Sequence, residues 1–183
     1  MRTLNTVLAL VLAIISSYVI CSIVRADEPG EKIKKANLRV GTFDSRAVAV
    51  AFAPTKEFNQ SIKQLMDEHK KAKAEGDEKK VKELEAMGKA MQQKAHMQAF
   101  STASVSEILE HIKDQIPAIA KEAGVDVIVS KWDVVYQAPS AEFVDVTDLM
   151  IKPFHPSEKT LKIVESMKKI PPISLEEAKN IKD

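Results

Sequence analysis

The chain has 183 residues and a mass of 20.3 kDa, room for one ordinary domain with an appendage and too little for a large multidomain enzyme. With 45% apolar and 29% charged residues and only 5 Gly and 8 Pro, it is neither wholly disordered nor collagen-like. Its net charge of +1, with no block of five like charges, excludes the footprint of a nucleic-acid binder, and its 5% aromatic content favours helices on a small sheet over a large sandwich or propeller.

Between Arg2 and Arg25 no residue is charged, and Val7 to Ile15 is continuously apolar, which marks an export signal. Val24 and Ala26 stand at −3 and −1 of a cut before Asp27, so cleavage after Ala26 is expected. An uncleaved amino-terminal anchor is the other reading. Cutting removes Arg2 and Arg25 and leaves 25 basic against 26 acidic residues. Cys21, the only cysteine, falls within this segment, and Ile20 before it does not fit lipoprotein processing. The remaining chain therefore offers no disulfide, zinc-thiolate site or cysteine nucleophile.

Residues 27–37 read as a polar spacer. Leu38 to Phe43 predicts a strand, and Asp44-Ser45 an N-cap for a short helix through Phe52, with a continued strand as the alternative. Thr55 opens a helix whose apolar positions, Phe58, Ile62, Leu65, His69 and Ala72, follow 4-3-4-3 spacing. After the break Glu75-Gly76-Asp77, a second seam runs from Val81 through Gly88, Ala95, Thr102, Leu109 and Ile116 to Ile119. It predicts one helix of roughly 45 residues, ~70 Å long, kinked near Lys113 by Pro117. Together these elements predict an antiparallel hairpin over 55–123 with position i facing about 153 − i, so that Leu65 meets Gly88. Its distal end, lined by Met66, Met87 and Met91, is expected to be thinly packed and more easily bent than its base.

Gly124 ends the hairpin. Val125–Val129 and Trp132–Tyr136 predict a β-hairpin around Ser130-Lys131, and Asp145-Val146-Thr147-Asp148 starts a helix through Ile151. The tail carries a helix over 157–170, the breaker Pro171-Pro172, and a capping box from Ser174 to Glu177. The expected fold is α+β and predominantly helical, with a small β body and a projecting antiparallel helical hairpin. Its divisions are 1–26, 27–37, 38–154 and a helical C-terminal extension, 155–183.

This order of elements resembles the Skp/OmpH family of periplasmic chaperones over about residues 38–152. Val40-Gly41-Thr42-Phe43-Asp44 resembles that family's opening strand. Gly124 to Val129, followed by Val134-Val135-Tyr136, resembles its paired strands, and Val144 to Asp148 resembles the start of its closing helix. The resemblance implies a homotrimer in which strands of three chains form a central body, with helical arms around a cavity that holds unfolded outer-membrane proteins. The arm here is short, the charge is not strongly basic, and the tail after Pro153 looks like an addition.

No catalytic motif is visible: His69, His96, His111 and His155 lack the nucleophile, metal or phosphate constellations of an enzyme, and His111 reads as solvated surface. Met66, His69, Met87, Met91, His96 and Met97 suggest copper(I), but adaptable Met packing, including contact with clients, explains the same spacing. Lys70, Lys71, Lys73, Lys79, Lys80 and Lys82 give the hairpin tip a local +3, a solvated helix end or a contact for anionic membrane and acidic clients. Val40, Val127, Val129 and Val135 are expected at subunit contacts, because so few short strands make no independently stable sheet. The expected function is a periplasmic, ATP-independent holdase for unfolded outer-membrane or envelope proteins, with no cofactor and no nucleic acid. An envelope scaffold with one dedicated partner is the second reading, and a copper(I)-binding protein the third.

Overall fold

The computed structural model describes residues 38–181, within a compact unit that extends from Asn37 to Asp183. The expected export segment 1–26 and the expected spacer 27–37 lie outside the described residues. Strand β1 (Arg39–Phe43) leads into α1 (Ser45–Phe52), α2 (Lys56–Ala74) and α3 (Glu78–Phe100). Next come α4 (Ser106–Leu109), a 3-10 turn (Glu110–Ile112), α5 (Ile116–Ala123), β2 (Val127–Ser130) and β3 (Glu142–Asp145). The chain closes with α6 (Thr147–Ile151), a 3-10 turn (Lys152–Phe154), α7 (Glu158–Met167) and α8 (Leu175–Lys179). The fold is mostly helical with one three-stranded sheet, and no helix among the described residues is long and apolar enough to cross a membrane.

The core forms around α1, whose Ala47, Val48 and Ala51 are fully buried with Val105, Ile108, Ile112, Ile119, Val146, Met150, Ile151 and Val164. Small and β-branched side chains let α1 lie close to α3, α6 and α7 at once. The sheet order is β2-β1-β3 and both pairings are parallel, with Val40 opposite Val127 on one side and Phe143 on the other. Gly41 makes this close approach feasible: a Cβ there would lie 3.1 Å from Val125, 3.2 Å from Val146 and 3.3 Å from Ile128. Arg39 ties the turn before β2 to strand β3, donating to Gly124 O at 2.6 Å and pairing with Glu142 at 2.7 Å.

Helices α2 and α3 pack on each other across the turn at Gly76 (φ 71°), with Leu65 3.5 Å from the position a Cβ of Gly88 would take and His69 Nε2 3.4 Å from Glu85. Helix α2 starts on Thr55, as its sequence suggests, with the side chain accepting from Phe58 N–H, and α3 starts on Asp77 of the break, which accepts from Lys80 N–H. Between the two helices Ala72 and Leu84 are buried, whereas Met66 and Met87 are 65% and 51% exposed.

Four expectations are corrected. The 45-residue helix stops at Phe100, because the Ser101–Ser104 segment takes non-helical partners: Ser101 Oγ donates to Ile173 O at 2.6 Å, and Phe100 O accepts from Ile173 N–H at 3.0 Å. The C-terminal segment thus caps α3. Pro117 kinks nothing, since it sits in the first turn of α5, where its missing N–H has no helical partner to lose. The antiparallel β-hairpin is absent: residues 132–136 form no strand, Val135 is fully exposed, and the third strand is β3. Lys131 N–H bonds Phe43 O at 2.9 Å and Asp133 N–H bonds Ser130 O at 3.1 Å, which carries the chain over the end of β1 and away from a hairpin path. Finally, the tail after Pro153 is no appendage, because Val164 and Ala178 are buried and α7 and α8 pack on α1 and α3. His111 is exposed as expected, yet its ring lies against Phe52 at 4.9 Å between centroids.

Candidate functional site

Three places concentrate chemistry. The first is Asp44, at the junction of β1 and α1 and wholly buried. Its carboxylate caps α1 by accepting Arg46 N–H at 3.1 Å. It also receives Arg46 Nε at 3.1 Å and Nη2 at 2.9 Å, Lys131 Nζ at 2.8 Å and Trp132 Nε1 at 3.2 Å. Burial pushes the carboxyl up, and the bonds and charges of Arg46 and Lys131 outweigh it, holding Asp44 at about 2. The indole lies beside both cations, 4.9 Å from Arg46 Cζ and 4.4 Å from Lys131 Nζ. Arg46 continues to Ile170 O at 2.9 Å and Met167 O at 3.3 Å, so one buried guanidinium ties the sheet end to the end of α7. Asp44 N–H is taken by Thr147 Oγ1 at 3.0 Å. This network is saturated with partners and works as a staple.

The second place is the helix pair. Lys70, Lys71, Lys73, Lys79, Lys80 and Lys82 are all exposed around the turn, with Lys71 4.0 Å from Glu75 and Lys80 3.9 Å from Glu83. Lys71 and Lys73 lie in the last turn of α2, where cations oppose the negative end of the helix dipole. Met91 is half-buried on α3, apart from the exposed Met66 and Met87. Among the described residues no three His, Cys, Asp or Glu side chains gather as a metal site. Val40 and Val129 are half-buried in the sheet and Val127 is 40% exposed on its outer strand, while Val135 stands outside the sheet altogether.

The third place has no counterpart in the sequence reading. A groove of about 750 Å³ lies between the end of α3, α7 and the segment 170–173. Phe100, Ile163, Met167, Ile170 and Ile173 line it, with Arg46 in its wall and Glu158, Lys159 and Lys162 also along it. The signal for it was the apolar series Ile163, Met167, Ile170 and Ile173, in a tail otherwise read as an addition.

Comparison with protein-family models, curated proteins and solved structures finds no match for this chain.

Proposed function

We propose that the chain is an exported, ATP-independent holdase that shields apolar segments of unfolded outer-membrane or envelope proteins in the periplasm. The observation that carries this reading is the surface of the helix pair. Over the 42 residues of α2 and α3 only Ala72, Leu84 and Gln98 are buried, while Met66 and Met87 face outward. Exposed methionines on a polar helix are adaptable contacts, because an unbranched thioether fits many client surfaces. The tip lysines add attraction for acidic client segments or an anionic membrane surface.

Assembly as a homotrimer belongs to the same proposal. Both outer strands of the sheet have an edge without a strand partner among the described residues, and unpaired edges are templates for another chain. Val127 and Val129 lie on β2, at one of these edges.

Stoichiometric suppression of aggregation of an unfolded β-barrel protein, and of a second unrelated client, tests the holdase. Met66→Glu with Met87→Glu should lower suppression severalfold at unchanged helicity, since both side chains are more than half exposed. No suppression by the wild-type chain, or an undiminished effect in the double variant, removes this reading.

A further inference from the structure

The groove beside α7 is the strongest feature that the holdase reading leaves unused. Four large apolar side chains are partly open to solvent along it, Phe100 at 47%, Ile163 at 46%, Ile170 at 60% and Ile173 at 39%. Apolar surface gathered in one concavity, rather than scattered singly, marks a binding site. One face of α7 supplies most of a wall in i, i+3 and i+4 steps, Lys159, Lys162 with Ile163, then Ser166 with Met167, with Ile170 just beyond. That face changes from cationic to apolar over ~12 Å at 1.5 Å per residue.

The charge along the groove has a sign. Lys159 and Lys162 make no ion pair with any described residue, and against them stands Glu158 alone. Behind the wall, Arg46 and Lys131 share the single carboxylate of Asp44. The occupant is therefore anionic at one end and apolar along the rest.

Hydrogen bonding selects its class. An extended peptide would carry backbone N–H and C=O groups into the groove, and each needs a partner. Outside the charged end formed by Glu158, Lys159 and Lys162, the polar lining side chains are engaged: Ser166 Oγ donates to Lys162 O at 2.9 Å, while Arg46 bonds Asp44, Met167 O and Ile170 O, so the apolar stretch offers an extended backbone no free side-chain partner. A hydrocarbon chain makes no such demand. We propose that this groove binds a single-chain anionic amphiphile, its acyl tail along Phe100, Ile163, Met167 and Ile170 and its carboxylate or phosphate head at Lys159 and Lys162. This site takes only Ala99 and Phe100 from the end of α3, uses neither the exposed methionines nor the tip lysines, and does not depend on the holdase reading.

The chain's one tryptophan, Trp132, stacks beside Arg46 of the groove wall and serves as an energy donor to a bound dansyl-undecanoic acid. With the full chain, transfer should saturate below the micelle threshold of the probe. Palmitate or lysophosphatidylglycerol should displace it. Displacement by both assigns the anionic amphiphile class, by palmitate alone a carboxylate head, and by lysophosphatidylglycerol alone a phosphate head. Lys159→Gln with Lys162→Gln should weaken the anionic competitors about tenfold and leave neutral decanol unchanged. Ile163→Asp with Ile170→Asp should abolish saturable transfer. All four positions are exposed, and circular dichroism checks that each variant keeps its helices. Transfer that does not saturate, equal displacement in wild type and both variants, or displacement only by an amphipathic helical peptide overturns the proposal.

Discussion

Asp44 and Lys71 show two opposite uses of charge in one chain. Asp44 has no exposed surface and satisfies Arg46, Lys131 and Trp132, whereas Lys71 is 76% exposed with its nearest carboxylate 4.0 Å away. In the body, a few long-range bonds fix elements that are distant in sequence. In the helix pair, charges are local and solvated, and each pair contributes little. The two regions should consequently respond to mutation, acid and salt in different ways.

The largest effect is expected from breaking the staple. Arg46→Ala leaves Asp44 buried with Lys131 as its only remaining cation, frees the carbonyl of Ile170 and leaves that of Met167 to Ile170 N–H alone, at a cost of about 3–5 kcal/mol. Denaturant unfolding measures it. Asp44→Asn combined with Arg46→Met should cost less than the sum of the single changes, because no lone buried charge remains. Strict additivity would show that the two groups act independently.

Acid separates the regions next. The folded-state pKa of Asp44, about 2, lies below its ordinary value of 3.8, so its stabilisation is complete above pH ~5 and is lost as pH falls through 3.8 toward 2. The difference corresponds to roughly 2 kcal/mol at most. The stability gap between wild type and Asp44→Asn should narrow between pH 5 and pH ~2.5. A gap constant over that window contradicts the lowered pKa.

Two glycines carry the comparison to opposite signs. Gly41→Ala forces a Cβ to within 3.1–3.3 Å of Val125, Val146 and Ile128, all held by the sheet, and should destabilise by about 1–3 kcal/mol. Gly88→Ala meets only Leu65 at 3.5 Å, an ordinary contact, and should stabilise by up to ~1 kcal/mol through helix propensity. Thermal midpoints decide both. A destabilised Gly88→Ala would mean that α2 and α3 are more tightly interlocked than their exposure suggests.

What the sequence disclosed follows the same division. Local signals were legible: Asp44 caps the helix it announces, Thr55 and Ser157 stand at the starts of theirs, and the Ser174–Glu177 box is present, while Asp77, legible only as part of a break, caps α3. The end of α3 was hidden because apolar 3-4 spacing runs through the break at Ser101, whose partner Ile173 is 72 residues away. Strand β3 was hidden for a similar reason: four residues with acidic ends carry little β-propensity, and their register with β1 is set by Arg39 and Glu142, 103 residues apart. Trp132-Asp133-Val134-Val135-Tyr136 has the opposite character, strong propensity overridden where Trp132 reaches Asp44 across 88 residues. Asp44 was visible as a cap and invisible as a hub, and the groove could not be seen while its tail helices were set apart from the core.

The smallest effect belongs to the tip. If Lys70, Lys71, Lys73, Lys79, Lys80 and Lys82 only solvate the turn, replacing all six by Gln should leave client and vesicle affinity unchanged at every salt concentration. If they steer acidic segments or dock on anionic lipid, the variant should bind more weakly at low salt. That deficit should shrink as the Debye length falls from ~30 Å at 0.01 M to ~8 Å at 0.15 M ionic strength. The helices should persist in either case, because Gln propagates a helix nearly as well as Lys and these side chains have little packing to lose. Binding to anionic vesicles and to an unfolded β-barrel protein, each at two ionic strengths, separates the two outcomes. Equal low-salt affinities for wild type and variant would leave the exposed methionines as the helix pair's only client contacts.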